Sequence, residues 1–266
     1  MKREMEGYGG GRRPRPAWYQ RLHAWLLSGA SLVYDAAVDE RKRALLGALQ
    51  GTVLEIGPGT GANLRYYASD VRWIGIDPNP YTHAYLREEA DRLGLLVDLR
   101  VGTAESLGLP DESVDAVVST LVLCSVDDQA RTLEEIVRVL RPGGRFVFIE
   151  HVAAPRGTWL RRTQGLVRPL WQLAADGCRL DRESWKGIEA AGFSNVSLEH
   201  FDTPFPLVRP HIAGVATKLR GSLDGRVTGP RQWQYRPLRA TPRRRAARAL
   251  SEESQAPSRS PRDSVT

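Results

Sequence analysis

Lysine is nearly missing from this 266-residue chain: four lysines stand against 34 arginines. Cysteine is as scarce, with only Cys124 and Cys178. Two cysteines make one disulfide formally possible and give no spacing of the kind a structural zinc site needs. No run of about 18 apolar residues occurs, which excludes a transmembrane helix of ordinary length. Residues 1–16 have no apolar core, so nothing there reads as a secretory signal. A reducing cytoplasm is the expected compartment.

Hydrophobic residues make up 41% of the chain, enough for a sizeable core, and the net charge of +7 is unevenly spread. Residues 17–218 carry 22 basic and 25 acidic groups, whereas residues 219–266 hold 11 arginines against four acids. The basicity lies in the ends, and the middle is a nearly neutral globular domain. Residues 1–16 are expected to be a disordered basic N-terminus. Residues 220–266, rich in Arg, Pro and Ser, are expected to be a disordered tail, since they bury too little apolar surface to offset ordering. The run Pro242–Arg248 is compatible with nucleic acid or acidic lipid and equally with a solvated tail. Because the domain itself is slightly acidic, nucleic acid is not the expected partner.

Residues 17–219 then form one domain, with 17–50 as an N-terminal helical cap. Within the cap, Trp18–Tyr34 is an apolar, aromatic-rich stretch compatible with a helix, suited to roofing a ligand or to lying on a membrane surface.

The short apolar run Thr52–Ile56 leads into Gly57-Pro-Gly-Thr-Gly61 and a helical segment over 63–68. Strand, glycine loop and helix in that order let backbone amides approach a ligand closely. A second strand, Arg72–Asp77, ends in an acid placed to accept hydrogen bonds from a ribose. The glycines do not fit the G-x-G-x-x-G dinucleotide pattern, and no Lys-Ser/Thr pair makes a P-loop. Glu55 before the loop suits a positively charged ligand, as a sulfonium nucleoside is. Strands are expected at Leu95–Val101, Ser113–Ser119 and Arg145–Glu150, with a helix at Asp127–Leu140 broken by Pro142-Gly-Gly144. The alternation implies a doubly wound parallel sheet with ligands at the carboxyl ends of its strands.

Four segments, "VLEIGPGTGANL", "IGIDPN", "GTAESLGLPDESVDAVVST" and "EEIVRVLRPGGRFVFIEH", resemble in order the motifs of class I S-adenosylmethionine-dependent methyltransferases. That resemblance implies a seven-stranded Rossmann-like sheet with helices on both faces. Its sixth and antiparallel seventh strands would fall at Asn195–Phe201 and His211–Lys218. It implies S-adenosylmethionine as cofactor, with Glu55, Gly57, Gly59, Gly61 and Asn63 around the methionine and ribose. Asp77 would bind the ribose, Pro78 and Asn79 would flank the adenine, Ala104 and Glu105 would edge it, and Thr120 would complete the cofactor set. Each residue alone has a plainer reading: turn geometry for Gly57 and Gly61, a helix cap for Asp77.

A closer resemblance comes from "TLVLCSV", "EHVAAPRGTW", "DGCRLDRESWKGIEAAGFS" and "LVRPHIAGVATK". These are similar to the animal methyltransferase-like family that methylates alkyl thiols. Members of that family carry an N-terminal hydrophobic anchor, for which this chain offers only Trp18–Tyr34. The resemblance implies a small-molecule thiol acceptor. Alternatives are C- or O-methylation of a quinone precursor, N-methylation of a phospholipid headgroup, or a non-enzymatic module that binds nucleic acid or membrane through the basic tail.

A thiol needs a base or positive potential to react as thiolate. His151, past the fifth strand, is the candidate base, and Asp176 either a second base or the group that orients His151. Leu121, Cys124, Trp159, Trp171 and Cys178 are expected to line the acceptor pocket. No metal is expected, because the neighbours of Cys178 in sequence lack further ligands, and both cysteines read as packing residues. The segment Gln172–Trp185 reads as a loop over the acceptor, with Asp181 capping a helix at Arg182–Ala191.

Overall fold

The computed structural model describes residues 15–220. The expectations for residues 1–14 and 221–266, including the Pro242–Arg248 run, lie outside the described residues.

Seven strands form one sheet: β1 Thr52–Ile56, β2 Arg72–Asp77, β3 Val97–Val101, β4 Val114–Thr120, β5 Leu140–His151, β6 Asn195–Asp202 and β7 Pro210–Thr217. Their order is β3-β2-β1-β4-β5-β7-β6. Strands β1 to β5 pair in parallel, and β7 runs antiparallel to both β5 and β6. The order reverses between β1 and β4, which opens a crevice at the carboxyl ends of those two strands.

Alternation along each strand sorts the side chains onto two cores. Leu54, Ile56, Val117, Phe146 and Phe148 face one side and pack with helix α3, Gln129–Val139, and helix α5, Ser184–Ala190. Val53, Trp73, Val118, Val147 and Ile149 face the other and pack with helix α1, Ala17–Leu46, and helix α2, Thr82–Leu93. Helix α3 shows why: its apolar residues recur at Leu133, Ile136 and Val139, all buried. Each contributes about 1.5–3 kcal/mol by leaving water. Its start is fixed by Asp128, whose carboxylate accepts the Arg131 amide at 3.1 Å.

Several boundaries differ from those expected. The segment after the glycine loop is a single 3-10 turn, Leu64–Tyr66, rather than a helix over 63–68. The Arg-Pro-Gly-Gly stretch does not end before the fifth strand but belongs to it, its glycines continuing the β5 backbone. Helix α2 and helix α4, Trp159–Ala174, were not legible as helices in the sequence reading. Helix α5 starts after Glu183, not Asp181, whose carboxylate instead accepts from Arg168 at 3.0 Å. The N-terminal cap is one helix of 30 residues, about 45 Å long at 1.5 Å per residue. Among the described residues, no helix is long and apolar enough to cross a membrane.

Candidate functional site

One cavity of about 510 Å³ sits at the carboxyl ends of β1, β2, β4 and β5. Helix α1 contributes His23, Leu27, Tyr34, Asp35 and Lys42 to its lining, so the N-terminal helix roofs it as expected.

At one end lie Gly57, Gly59, Asn63, Asp77, Pro78 and Asn79. Gly57 takes a φ of 58°, and a Cβ there would stand 2.7 Å from a Val122 methyl carbon. Both the backbone conformation and the close approach therefore require glycine. The buried Asp77 carboxylate accepts the Gly59 amide at 3.0 Å and the Asn79 amide at 2.8 Å. It thus binds the glycine loop to the end of β2. Burial pushes its pKa up, while these two amides pull it back. Glu55 points into the α1–α2 core from β1. Its Oε1 accepts from Asn63, and its Oε2 accepts from the Tyr67 hydroxyl and the Trp73 indole. Burial raises its pKa against those three donors. Asn63 also donates to Thr120 Oγ1 at 3.0 Å, while its Oδ1 is buried without a protein partner.

Ala104 and Glu105 do not line this cavity. The Glu105 carboxylate accepts the Asp127 amide at 2.8 Å, and the Glu105 carbonyl accepts from Arg131. Free amides at the start of a helix draw a carboxylate strongly, and that is where Glu105 is spent.

The other end gathers Leu121, Cys124, His151, Trp171 and Cys178. His151 Nε2 stands 2.9 Å from Cys178 Sγ, and the Trp171 indole donates to the same sulfur at 3.2 Å. Cys124, His151 and Cys178 each place a ligand-type atom within 4.8 Å of the others. The cysteines are buried, as expected of packing residues, but they are side by side rather than scattered. Hydrogen bonding from the Cys124 thiol, with His151 beside it, lowers the Cys178 pKa to about 5, and the same contact pushes Cys124 up. Counting ligands among sequence neighbours missed this cluster, because the three residues come from the loop after β4, the end of β5 and the turn after α4.

Leu121 marks the turn out of β4 with a φ of 59°, a strained conformation for a leucine. The loop it opens is held by Glu150, whose carboxylate accepts from the Ser119 hydroxyl and the Val122 amide. From the far side, the Arg182 guanidinium donates to the carbonyls of Leu123 and Val126. Glu150 and Arg182 are positioning residues that the sequence reading did not single out.

Asp176 lines the cavity without reaching His151. Its side chain pairs with Arg15 at 3.7 Å, and its amide donates to the Tyr19 hydroxyl. It faces the Asp77 end, where its charge raises the Asp77 pKa. Trp159 is 80% exposed and does not line this cavity, whereas Trp171 on the same helix faces it. His211 was missed. It pairs across the sheet with His151, lines the cavity, and is fully buried. Its Nδ1 lies 3.2 Å from the Arg209 carbonyl, and burial lowers its pKa to about 4.

Comparison with known proteins agrees with this architecture. The family described as a methyltransferase domain matches residues 54–148. The chain is 44% identical over 201 residues to thiol S-methyltransferase TMT1A of Homo sapiens, covering 71% of this chain and 82% of that protein. It is 40% identical over 194 residues to thiol S-methyltransferase TMT1B of Homo sapiens, covering 68% and 80%. Among solved structures, an S-adenosylmethionine-dependent methyltransferase of Thermotoga maritima, described as a possible histamine N-methyltransferase, shares the fold. It superposes with a TM-score of 0.56 at 21% identity, over 76% of this chain and 98% of that one.

Proposed function

Because the chain belongs to the thiol S-methyltransferase family of S-adenosylmethionine-dependent enzymes, we propose that it methylates the sulfur of a small hydrophobic thiol. The observation that carries this reading is a single cavity with two unlike ends. Buried carboxylates and backbone amides stand at one, and two thiols with imidazoles at the other.

Bound S-adenosylmethionine supplies a methyl carbon on a positively charged sulfur. The residues at the first end fit it. Asp77 offers its carboxylate to the ribose hydroxyls beside the Gly59 and Asn79 amides. Asn63 Oδ1, buried and unpartnered, is an acceptor for the amino group. Glu55 anchors Asn63 and adds negative potential toward a cationic ligand.

Displacement at carbon asks the protein chiefly for position and dryness, with the acceptor about 3 Å from the methyl. Leu27, Leu121, Val122, Phe205 and Val208 wall the cavity with apolar surface, which suits a hydrophobic acceptor and excludes water. The test is mass-spectrometric detection of a methyl thioether from S-adenosylmethionine and 2-mercaptoethanol, with no-enzyme and Asp77→Ala controls. Product that depends on Asp77 is expected. Absence of product from protein that still binds the cofactor overturns the thiol reading in favour of quinol or phospholipid acceptors.

Membrane contact belongs to the same proposal. Helix α1 exposes Trp18, Leu22, Trp25 and Leu26, and helix α4 exposes Leu166, Leu170 and Leu173. The Tyr19 hydroxyl lies 3.2 Å from the Leu173 carbonyl and so joins the two helices. Such edges favour an interfacial position beside lipid, where hydrophobic thiols concentrate. Flotation of the chain with anionic vesicles is expected, and Trp25→Ser with Leu170→Ser is expected to abolish it. Wild-type chain that stays with the soluble fraction removes the membrane from the reading. A reducing compartment is the matching location, since both cysteines are free thiols.

A further inference from the structure

Two thiols and an imidazole meet at the acceptor end of the cavity, and cofactor binding uses none of them. Cys124 follows β4, His151 ends β5, and Cys178 lies in the turn after α4, with one ligand atom from each within 4.8 Å of the others. All three are buried, at 2%, 3% and 7% exposure, and all three line the cavity. Their backbones are pinned together. The Arg179 amide donates to the Cys124 carbonyl, and the Ala153 amide donates to the Arg182 carbonyl. Beside them, His151 Nδ1 and His211 Nε2 are buried without a protein partner. A cluster kept only for packing has no need of these donors or of the leftover polar atoms.

We propose that Cys124, His151 and Cys178 bind a zinc ion whose fourth coordination position opens into the cavity and receives the acceptor thiol. This deepens the thiol-methylating reading and rests on it. Thiolate and imidazole are ligands that zinc favours, and three protein ligands leave one position of a tetrahedral ion free for substrate. A thiol that coordinates there gives its proton to water and stays a thiolate at neutral pH. A lone pair on that sulfur forms the new bond to the methyl carbon. The bond from carbon to the sulfonium sulfur breaks, and its electron pair stays on the cofactor sulfur. One thiol and one S-adenosylmethionine give one methyl thioether, one S-adenosylhomocysteine and one proton. Zinc with two cysteine thiolates and the acceptor thiolate carries one negative charge, which faces the positive sulfonium and is consumed on transfer. The neutral thioether is a weaker ligand than the thiolate it replaces, so the product leaves. His151 is a ligand in this arrangement, not a base.

Full-length chain grown with added zinc, purified without chelator and dialysed against metal-free buffer is expected to carry one zinc per chain by inductively coupled plasma mass spectrometry. Cys124→Ser and Cys178→Ser are each expected to lose most of that metal while keeping their affinity for S-adenosylhomocysteine. Cobalt-loaded wild-type chain is expected to show a thiolate-to-cobalt charge-transfer band that shifts when 2-mercaptoethanol is added. Should the serine variants fail to bind S-adenosylhomocysteine, this cobalt spectrum decides alone. Metal-free wild-type chain, stoichiometric copper in place of zinc, zinc retained in both serine variants, or a cobalt band blind to thiol overturns the site. Thiol methylation undiminished after zinc removal overturns the metal's part in catalysis and leaves the thiol reading standing. A zinc-loaded chain that methylates quinols or phosphatidylethanolamine but no thiol overturns the thiol reading, and the acceptor's place on the metal with it.

Discussion

The cofactor end and the acceptor end of this cavity are assembled in opposite ways. Glu55, Gly57, Gly59 and Gly61 fall within seven consecutive residues, and Asp77 closes onto them through a single backbone amide. Cys124, His151 and Cys178 stand 27 residues apart in two equal steps, on one strand end and two connections that only the folded sheet brings together. The first end is a local device, held by hydrogen bonds between near neighbours. The second is a tertiary one, held by Glu150 and Arg182 reaching across the loops. A local device tolerates change elsewhere in the chain, whereas a tertiary one depends on every segment that contributes to it.

The largest effect is expected at the local end. Asp77→Ala removes the carboxylate proposed to hold the ribose and frees the Gly59 and Asn79 amides, and hydrogen bonds to a charged group contribute about 1.5–3 kcal/mol each. Cofactor affinity measured by calorimetry is expected to fall about a hundredfold or more. Alkylation of Cys178 by iodoacetamide is expected to continue at its wild-type rate. A changed rate would show that the two ends are not separable.

Next in size is a pH effect at the tertiary end. His211 has its pKa lowered from 6.5 to about 4 by burial. Between those values the unfolded chain takes up a proton at this ring that the folded chain refuses, so the ring's contribution to stability falls as pH drops from 6.5 toward 4 and is constant above 6.5. At 1.36 kcal/mol per pH unit the loss reaches about 3 kcal/mol. Thermal unfolding of the wild type should show that slope, and His211→Gln should lack it. Equal slopes would mean that the ring is already charged when folded.

A smaller effect is expected from Trp171→Phe, which keeps an aromatic ring, though a smaller one, and deletes the donor to Cys178. Turnover should fall about tenfold with cofactor affinity unchanged, as for loss of a supporting hydrogen bond around a reactive sulfur. A fall in cofactor affinity instead would tie Trp171 to the local end. The smallest is Trp159→Ala. At 80% exposed, Trp159 should change neither turnover nor stability by more than about 0.5 kcal/mol. A large loss there would restore it to the acceptor wall.

That contrast also explains what could be read in advance. The sheet, its glycine loop and the acid ending β2 were legible because each is written in contiguous residues with a fixed backbone need. Trp159 and Trp171 are both tryptophans of α4, and nothing local says which of them faces inward. Glu105 has the composition of a ligand-edge acid, yet the amides before α3 claim it. His211 offered no signal beyond its place in the seventh strand. Its pairing with His151 exists only once β7 lies antiparallel against β5. Helix α4 was missed although Leu166, Leu170 and Leu173 recur at helical spacing, because Pro169 inside it reads in a sequence as a helix breaker.

Helix α1 is the first part of the described chain to be synthesised, and some of its partners are among the last. Arg41 donates to Glu199 at 2.6 Å across 158 residues of sequence, its guanidinium stacks 3.9 Å from the Phe201 ring, and Tyr19 reaches the end of α4. On the ribosome, Val38, Leu45 and Leu46 of the helix can pack as soon as β1, the 3-10 turn and α2 emerge, whereas Arg41 must wait for β6. Contacts so distant in sequence make for slow closure and a late, cooperative final step. The roof over the cavity is thus also a clasp of the fold, and a chain cut short before β6 would be left with its glycine loop formed and Arg41 without Glu199 and Phe201.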